Sequence, residues 1–212
     1  MIEGIIFDID GTLIDSMIIW EKLGEKYLEN QGIVPEEGLD DILFSMTIDE
    51  GVKYLKVHYD ISASEDDIRD ALINIIRDFY NNEVQLKAGV IEFLQNAKNN
   101  DIPMVLATAG DVELERAALV RLGIWEYFEN IFTCEELHTS KREATIYLKA
   151  AEYIDKEPNN ILVIEDVYQA VHAAHQAGFK VAAIEDCSSI KDKSLILNEA
   201  DYYGTFDNSW VK

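Results

Sequence analysis

The first apolar run of the chain, Ile5, Ile6 and Phe7, ends in two aspartates one residue apart, Asp8 and Asp10, within IIFDIDGT. Such a run reads as a buried strand, and carboxylates at its end cost free energy unless a cation answers them. Residues two apart on a strand point to the same side, so both carboxylates can address one reacting atom, while Gly11 permits a sharp exit. Three later segments offer partners: Thr108, Ala109 and Gly110 after a second apolar run, Lys141 in a polar loop, and Glu165 with Asp166 closing ILVIE. Carboxylates, a hydroxyl and an ammonium suit metal-assisted chemistry on a phosphoryl group. One aspartate can attack phosphorus to give an acyl phosphate while the other handles protons, which splits transfer into two easier steps. Magnesium would offset the repulsion between an anionic nucleophile and an anionic substrate, held by Asp166, with Glu165 as ligand or supporting acceptor, opposite Asp8. Thr108 and the N–H groups after it, Ala109 among them, would bind phosphoryl oxygens, with Gly11 in the same phosphate-binding set, and Lys141 would neutralise developing charge.

These residues meet only if a sheet brings them together. From about residue 85 apolar strands alternate with amphipathic helices: strands at 103–107, 131–133, 161–165, 180–184 and 201–203, helices at 112–122, 143–154 and 167–177. Such alternation predicts a parallel sheet with helices on both faces, which strand 5–9 would join, and ligands bind such sheets beyond the carboxyl ends of the strands. Residues 16–83 carry helical signals only. Ile19, Trp20, Leu23, Tyr27 and Leu28 share one face, and Thr47 with Glu50 and Ser62 with Glu65 are spaced as capping boxes. The expected organisation is a discontinuous α/β core, 1–15 and 84–212, interrupted by a helical cap, 16–83.

DIDGT at 8–12, VLAT at 105–108, Lys141 and IED at 164–166 resemble, in order and spacing, the four motifs of the haloacid dehalogenase superfamily. The resemblance spans nearly the whole chain and points to the subgroup with a helical cap after the first motif, which holds small-molecule phosphatases and β-phosphoglucomutase-like enzymes. It implies a Rossmann-like parallel core, Asp8 as nucleophile, Asp10 as general acid and base, and magnesium on Asp8, Asp166 and the backbone carbonyl of Asp10. Asp10 is the residue that dehalogenases of the family lack, so phosphoryl transfer is expected. A phosphatase of a sugar phosphate or phosphoglycolate-like metabolite leads, with a sugar phosphomutase as the alternative. Against the mutase, Trp20 stands near the position of a cap histidine, and FSMTIDEG lacks the arginine that grips a second phosphate. After Lys141 the chain reads KREAT rather than Pro-x-Pro, which leaves Arg142 as a competitor for the lysine's role.

Bulk properties narrow the partners. With 41 Asp and Glu against 18 Lys and Arg, the net charge of −23 repels nucleic acid and anionic membranes; a small phosphorylated substrate, a monomer and, from the sparse cysteines, a cytoplasmic location are expected. Cys134 and Cys187 have no zinc or redox spacing, and no run approaches the ~20 apolar residues of a membrane span. A calcium loop at Asp8 fails because Leu13 and Ile19 occupy the positions needing Gly and Glu. His172 and His175 read as core or surface residues of an Ala-rich helix rather than as a metal pair. A receiver-like signalling domain would be shorter and lack the insert, and intact Asp8, Asp10 and Asp166 argue against a binding protein that has lost catalysis.

Overall fold

The computed structural model describes residues 2–44 and 46–211. Of the stretches read above, FSMTIDEG includes Ser45, and the core bounds reach Met1 and Lys212; these three lie outside the described residues. The chain divides into two compact units, Met1–Asp15 with Gln85–Lys212, and Ser16–Val84.

In the first unit six strands form one sheet: β1 (Gly4–Phe7), β2 (Met104–Thr108), β3 (Ile131–Thr133), β4 (Ile161–Glu165), β5 (Lys180–Ile184) and β6 (Tyr202–Gly204). Their order is β3-β2-β1-β4-β5-β6 and every pairing is parallel. The chain builds outward from β1 to β3 and then returns to the other side of β1, so β1 and β4 flank the point where the direction of winding reverses. Beyond their carboxyl ends lies the usual ligand crevice of this architecture.

Side-chain alternation gives the sheet two buried faces. On one, Ile6, Val105, Ala107, Val163, Val181 and Ala183 pack with residues of α7 (Thr145–Ile154), α8 (Tyr168–Gln176) and α9 (Lys193–Glu199). On the other, Phe7 meets Phe93 of α5 (Val90–Asn99), Phe128 and Phe206 with ring centroids 6.0, 5.6 and 6.4 Å apart. Helix α6 (Val112–Arg121) follows β2 and is capped by Asp111, whose carboxylate accepts from the N–H groups of Glu113 and Leu114.

The second unit is helical throughout: α1 (Met17–Asn30), α2 (Leu39–Phe44), α3 (Ile48–His58), α4 (Glu65–Asp78) and a π-type turn, Phe79–Glu83. Helix α1 buries Ile19, Leu23 and Tyr27, and α4 buries Ile68, Leu72 and Ile76, each a set spaced by four. The capping box at Thr47 and Glu50 is present. The one read at Ser62 and Glu65 is displaced by two residues: Ser64 accepts from Asp67 N–H, and Asp67 accepts from Ser64 N–H at 3.2 Å. Aspartate is long enough to close this box, and three acidic residues then fill the first turn, where the helix dipole favours them.

Strand β1 is shorter than the expected 5–9. The Ile9 carbonyl accepts N–H groups from Thr12, Leu13 and Ile14, which turns the chain immediately, and Gly11 takes the left-handed conformation at φ 79°. Asp8 and Asp10 therefore sit on the exit turn rather than in the strand.

Candidate active site

Asp8 follows β1 and its N–H donates to the Ile164 carbonyl of β4, which seats it beside the end of that strand. Glu165 ends β4 and Asp166 follows it. The three carboxylates each place an oxygen within 4.8 Å of the others, and all three residues are buried. The Lys141 ammonium donates to Asp8 Oδ1, and to Glu165 Oε1 at 2.6 Å. Arg142 is exposed and has no part in this contact, so the lysine holds the position that two basic residues contended for.

Tyr147 and Thr12 were not singled out in the sequence, yet both hold these carboxylates. Tyr147 of α7 donates to Glu165 Oε1 at 2.7 Å, and Thr12 donates to Asp166 Oδ1 at 3.4 Å. Glu165 thus spends one oxygen on two donors and acts first as the anchor of Lys141.

The electrostatics follow from burial. Burial disfavours the Lys141 ammonium, but the charges of Asp8 and Glu165 outweigh it and raise its pKa, so the lysine is charged. Burial pushes Glu165 up to about 7; Lys141 works against this rise and Asp8 adds to it. Burial also lifts Asp166 well above the usual carboxylate range, with Asp8 and Glu165 as further causes. One ammonium among so many carboxylates leaves an excess of buried negative charge, and Asp8 Oδ2, Glu165 Oε2 and Asp166 Oδ2 have no hydrogen-bond partner among the described residues. Orphaned carboxylate oxygens converging from two adjacent strands are a fitting donor set for a hard divalent cation. The metal-ion reading therefore has physical support from this donor set.

Thr108 ends β2, where its hydroxyl accepts from Gly110 N–H at 2.9 Å and donates to Glu115 Oε1 at 2.5 Å. Ala109 and Gly110 are exposed at this turn. Glu115 is the most consequential residue the sequence reading passed over. It is fully buried on α6, on the same stripe as Ala118 and Leu119. Its signal was visible as a carboxylate where the helix period calls for an apolar residue. Burial first, and the Asp10 charge second, push its pKa well above the usual range, and its carboxyl hydrogen-bonds that of Asp10.

Other candidates fall outside the cluster. Gly11 shapes the exit turn, donating its N–H to the Ile14 carbonyl. His172 is exposed and pairs with Glu199 at 2.8 Å, and His175 is exposed, so neither belongs to a core metal pair. Trp20 and Leu23 line an apolar cavity of about 370 Å³ within the helical unit, with Met17, Leu43 and Met46, whereas Tyr27 does not. Among the described residues no helix is long and apolar enough to cross a membrane.

Comparison with known proteins gives the family and the fold. Hexitol phosphatase A of Escherichia coli (strain K12) is 26% identical over 204 residues, covering 94% of this chain and 92% of that protein. Phosphoglycolate phosphatase of Rhodobacter capsulatus is 31% identical over 147 residues, 66% of each chain. Among solved structures, a candidate β-phosphoglucomutase from Thermotoga maritima superposes with a TM-score of 0.86 at 24% identity, covering 95% of this chain and 94% of that one, a likeness of fold. The model of the haloacid dehalogenase-like hydrolases matches residues 5–184, from β1 through β5 and so across every residue of the cluster. The chain belongs to the haloacid dehalogenase-like hydrolases, and the two curated relatives named above are phosphatases.

Proposed function

We propose that the protein is a magnesium-dependent phosphatase that hydrolyses a small phosphorylated metabolite, a sugar phosphate or a phosphoglycolate-like acid, through an aspartyl phosphate on Asp8. The observation that carries this reading is the buried convergence of Asp8, Glu165 and Asp166 with Lys141 on the nucleophile. The names of the curated relatives support the same substrate classes.

In this reading Asp8 Oδ2, the oxygen not engaged by Lys141, forms a bond to phosphorus. The ester P–O bond breaks, and Asp10 gives its carboxyl proton to the departing alcohol. Asp10, now a carboxylate, takes a proton from water as that water attacks the phosphoryl group; the Asp8–phosphorus bond breaks and inorganic phosphate leaves. Lys141 offsets charge on the transferring group, and Thr108 with the Ala109 N–H binds its oxygens. Magnesium, held by Asp8, Asp166 and the Asp10 carbonyl, would supply the positive charge that lets an anionic ester approach an anionic nucleophile. The helical unit, Ser16–Val84, is read as the cap domain of the family.

The test is phosphate release from a panel of sugar phosphates, phosphoglycolate and nucleotides, with magnesium or with chelator, and with Asp8→Asn in parallel. Hydrolysis of one class that requires both Asp8 and the metal supports the reading. Turnover that survives either loss contradicts it.

A further inference from the structure

Glu115 is a buried acid with no place in the steps above, and its contacts join two residues that those steps do use. Its Oε1 accepts the only proton of the Thr108 hydroxyl, while the hydroxyl oxygen accepts Gly110 N–H. The Glu115 carboxyl also hydrogen-bonds the Asp10 carboxyl. The two acids converge on the α-carbon of Gly110: a β-carbon there would collide with Glu115 Oε1 and come within 2.8 Å of Asp10 Oδ2. An ordinary side chain at this turn would push the two acids apart.

We propose that Glu115 is a positioning residue that holds the Asp10 carboxyl for proton transfer and competes with the substrate's phosphoryl group for the Thr108 hydroxyl. The assignment rests on the phosphatase reading above. A hydroxyl has one proton to donate, so each phosphoryl oxygen that binds Thr108 must draw it away from Glu115. Glu115 therefore weakens phosphoryl binding while it supports turnover, and its removal should move the two quantities in opposite senses.

The experiment measures kcat for the best ester of the panel and the affinity for inorganic phosphate in the magnesium-loaded enzyme. The variants are Glu115→Leu, Glu115→Gln and Gly110→Ala. Glu115→Leu should lower kcat about tenfold to a hundredfold as Asp10 loses its partner, with phosphate binding tighter than in wild type. Glu115→Gln keeps an acceptor for Thr108 and an N–H for Asp10, so both quantities should stay near wild type. In a Thr108→Val background, Glu115→Leu should no longer tighten phosphate. Gly110→Ala alters an exposed turn and separates the two acids without changing either; it should lower kcat without weakening phosphate, which keeps the test open if Glu115→Leu does not fold.

Joint weakening of phosphate binding and kcat in folded Glu115→Leu, or wild-type values in both Glu115→Leu and Gly110→Ala, would overturn the assignment. Equal damage in Glu115→Gln and Glu115→Leu would do the same. If the wild type releases no phosphate from any ester while Asp8→Asn behaves identically, the phosphatase reading fails and this inference falls with it. Normal wild-type turnover with silent Glu115 variants sinks this inference alone.

Discussion

Replacing Lys141 with methionine keeps most of the length of the side chain and removes the cation on which Asp8 and Glu165 both depend. Breaking a buried ion pair by deleting one partner costs about 3–5 kcal/mol when the other must stay charged. Here protonation limits the loss. Glu165, already pushed up to about 7, takes a proton at neutral pH with little further expense, so the loss comes mainly through Asp8. Asp8 is then a buried carboxylate left without its cation, at a cost of about 3–5 kcal/mol at pH 7. For a chain of this length that corresponds to a fall in Tm of about 6–20 °C at pH 7. The sign is fixed by Glu165, whose carboxyl ionises as the pH rises through about 7, so the deficit grows above that pH. Thermal melts of both proteins from pH 5 to 8, without divalent metal, measure it. Turnover should fall about 10²–10³-fold at a temperature where the variant remains folded. A Tm loss of equal size at every pH, or no loss, would refute the claim that Lys141 neutralises this buried cluster.

Three further outcomes are expected. Lys87→Met should destabilise the core by about 3 kcal/mol at pH 7, because Lys87 pairs at 2.6 Å with Asp186, whose side chain is fully buried. Burial alone would raise the Asp186 pKa, but Lys87 and Ser188 outweigh it and hold it below the ordinary value. This contribution is therefore complete above the unfolded carboxylate pKa and lost as pH falls through the folded one, so melts of the two proteins should converge below about pH 3. Ser64→Ala removes the acceptor for Asp67 N–H in the capping box of α4 and should cost about 1 kcal/mol, read by denaturant unfolding; an unchanged midpoint would count against the box. Magnesium should raise the wild-type Tm, more at pH 8 than at pH 6, because ligand carboxylates must shed protons to bind it, and this pH dependence should vanish in Asp166→Asn.

Much of the core was legible because parallel strands buried on both faces read as uninterrupted apolar runs. ILVIE at 161–165 coincides with β4, and KVAAI with β5. The placement of the strand-end residues was legible for the same reason: once the runs are placed, whatever follows them lies beyond the carboxyl edge of the sheet. Less visible were short or atypical elements. Helix α5 was not read at all, although Val90, Phe93, Leu94 and Ala97 form its buried stripe, because its entry through a left-handed Gly89 carries no polar cap. Six-residue α2 is too short to show a period. Nothing local distinguishes Thr12 and Tyr147, and Glu115 shows only as a carboxylate on an otherwise apolar helical stripe; the three acquire a role only when the sheet folds their helices and turns against Asp166, Glu165 and Thr108.

The most direct test of the account asks where the phosphoryl group goes. Asp10→Asn enzyme, mixed with the best ester and magnesium and quenched in acid, should carry a phosphoryl group on the peptide containing Asp8. Wild type should show it only transiently, and Asp8→Asn not at all. A label on any other residue, or ester hydrolysis by wild type with no label on Asp8 at any time after mixing, would contradict the proposed aspartyl phosphate.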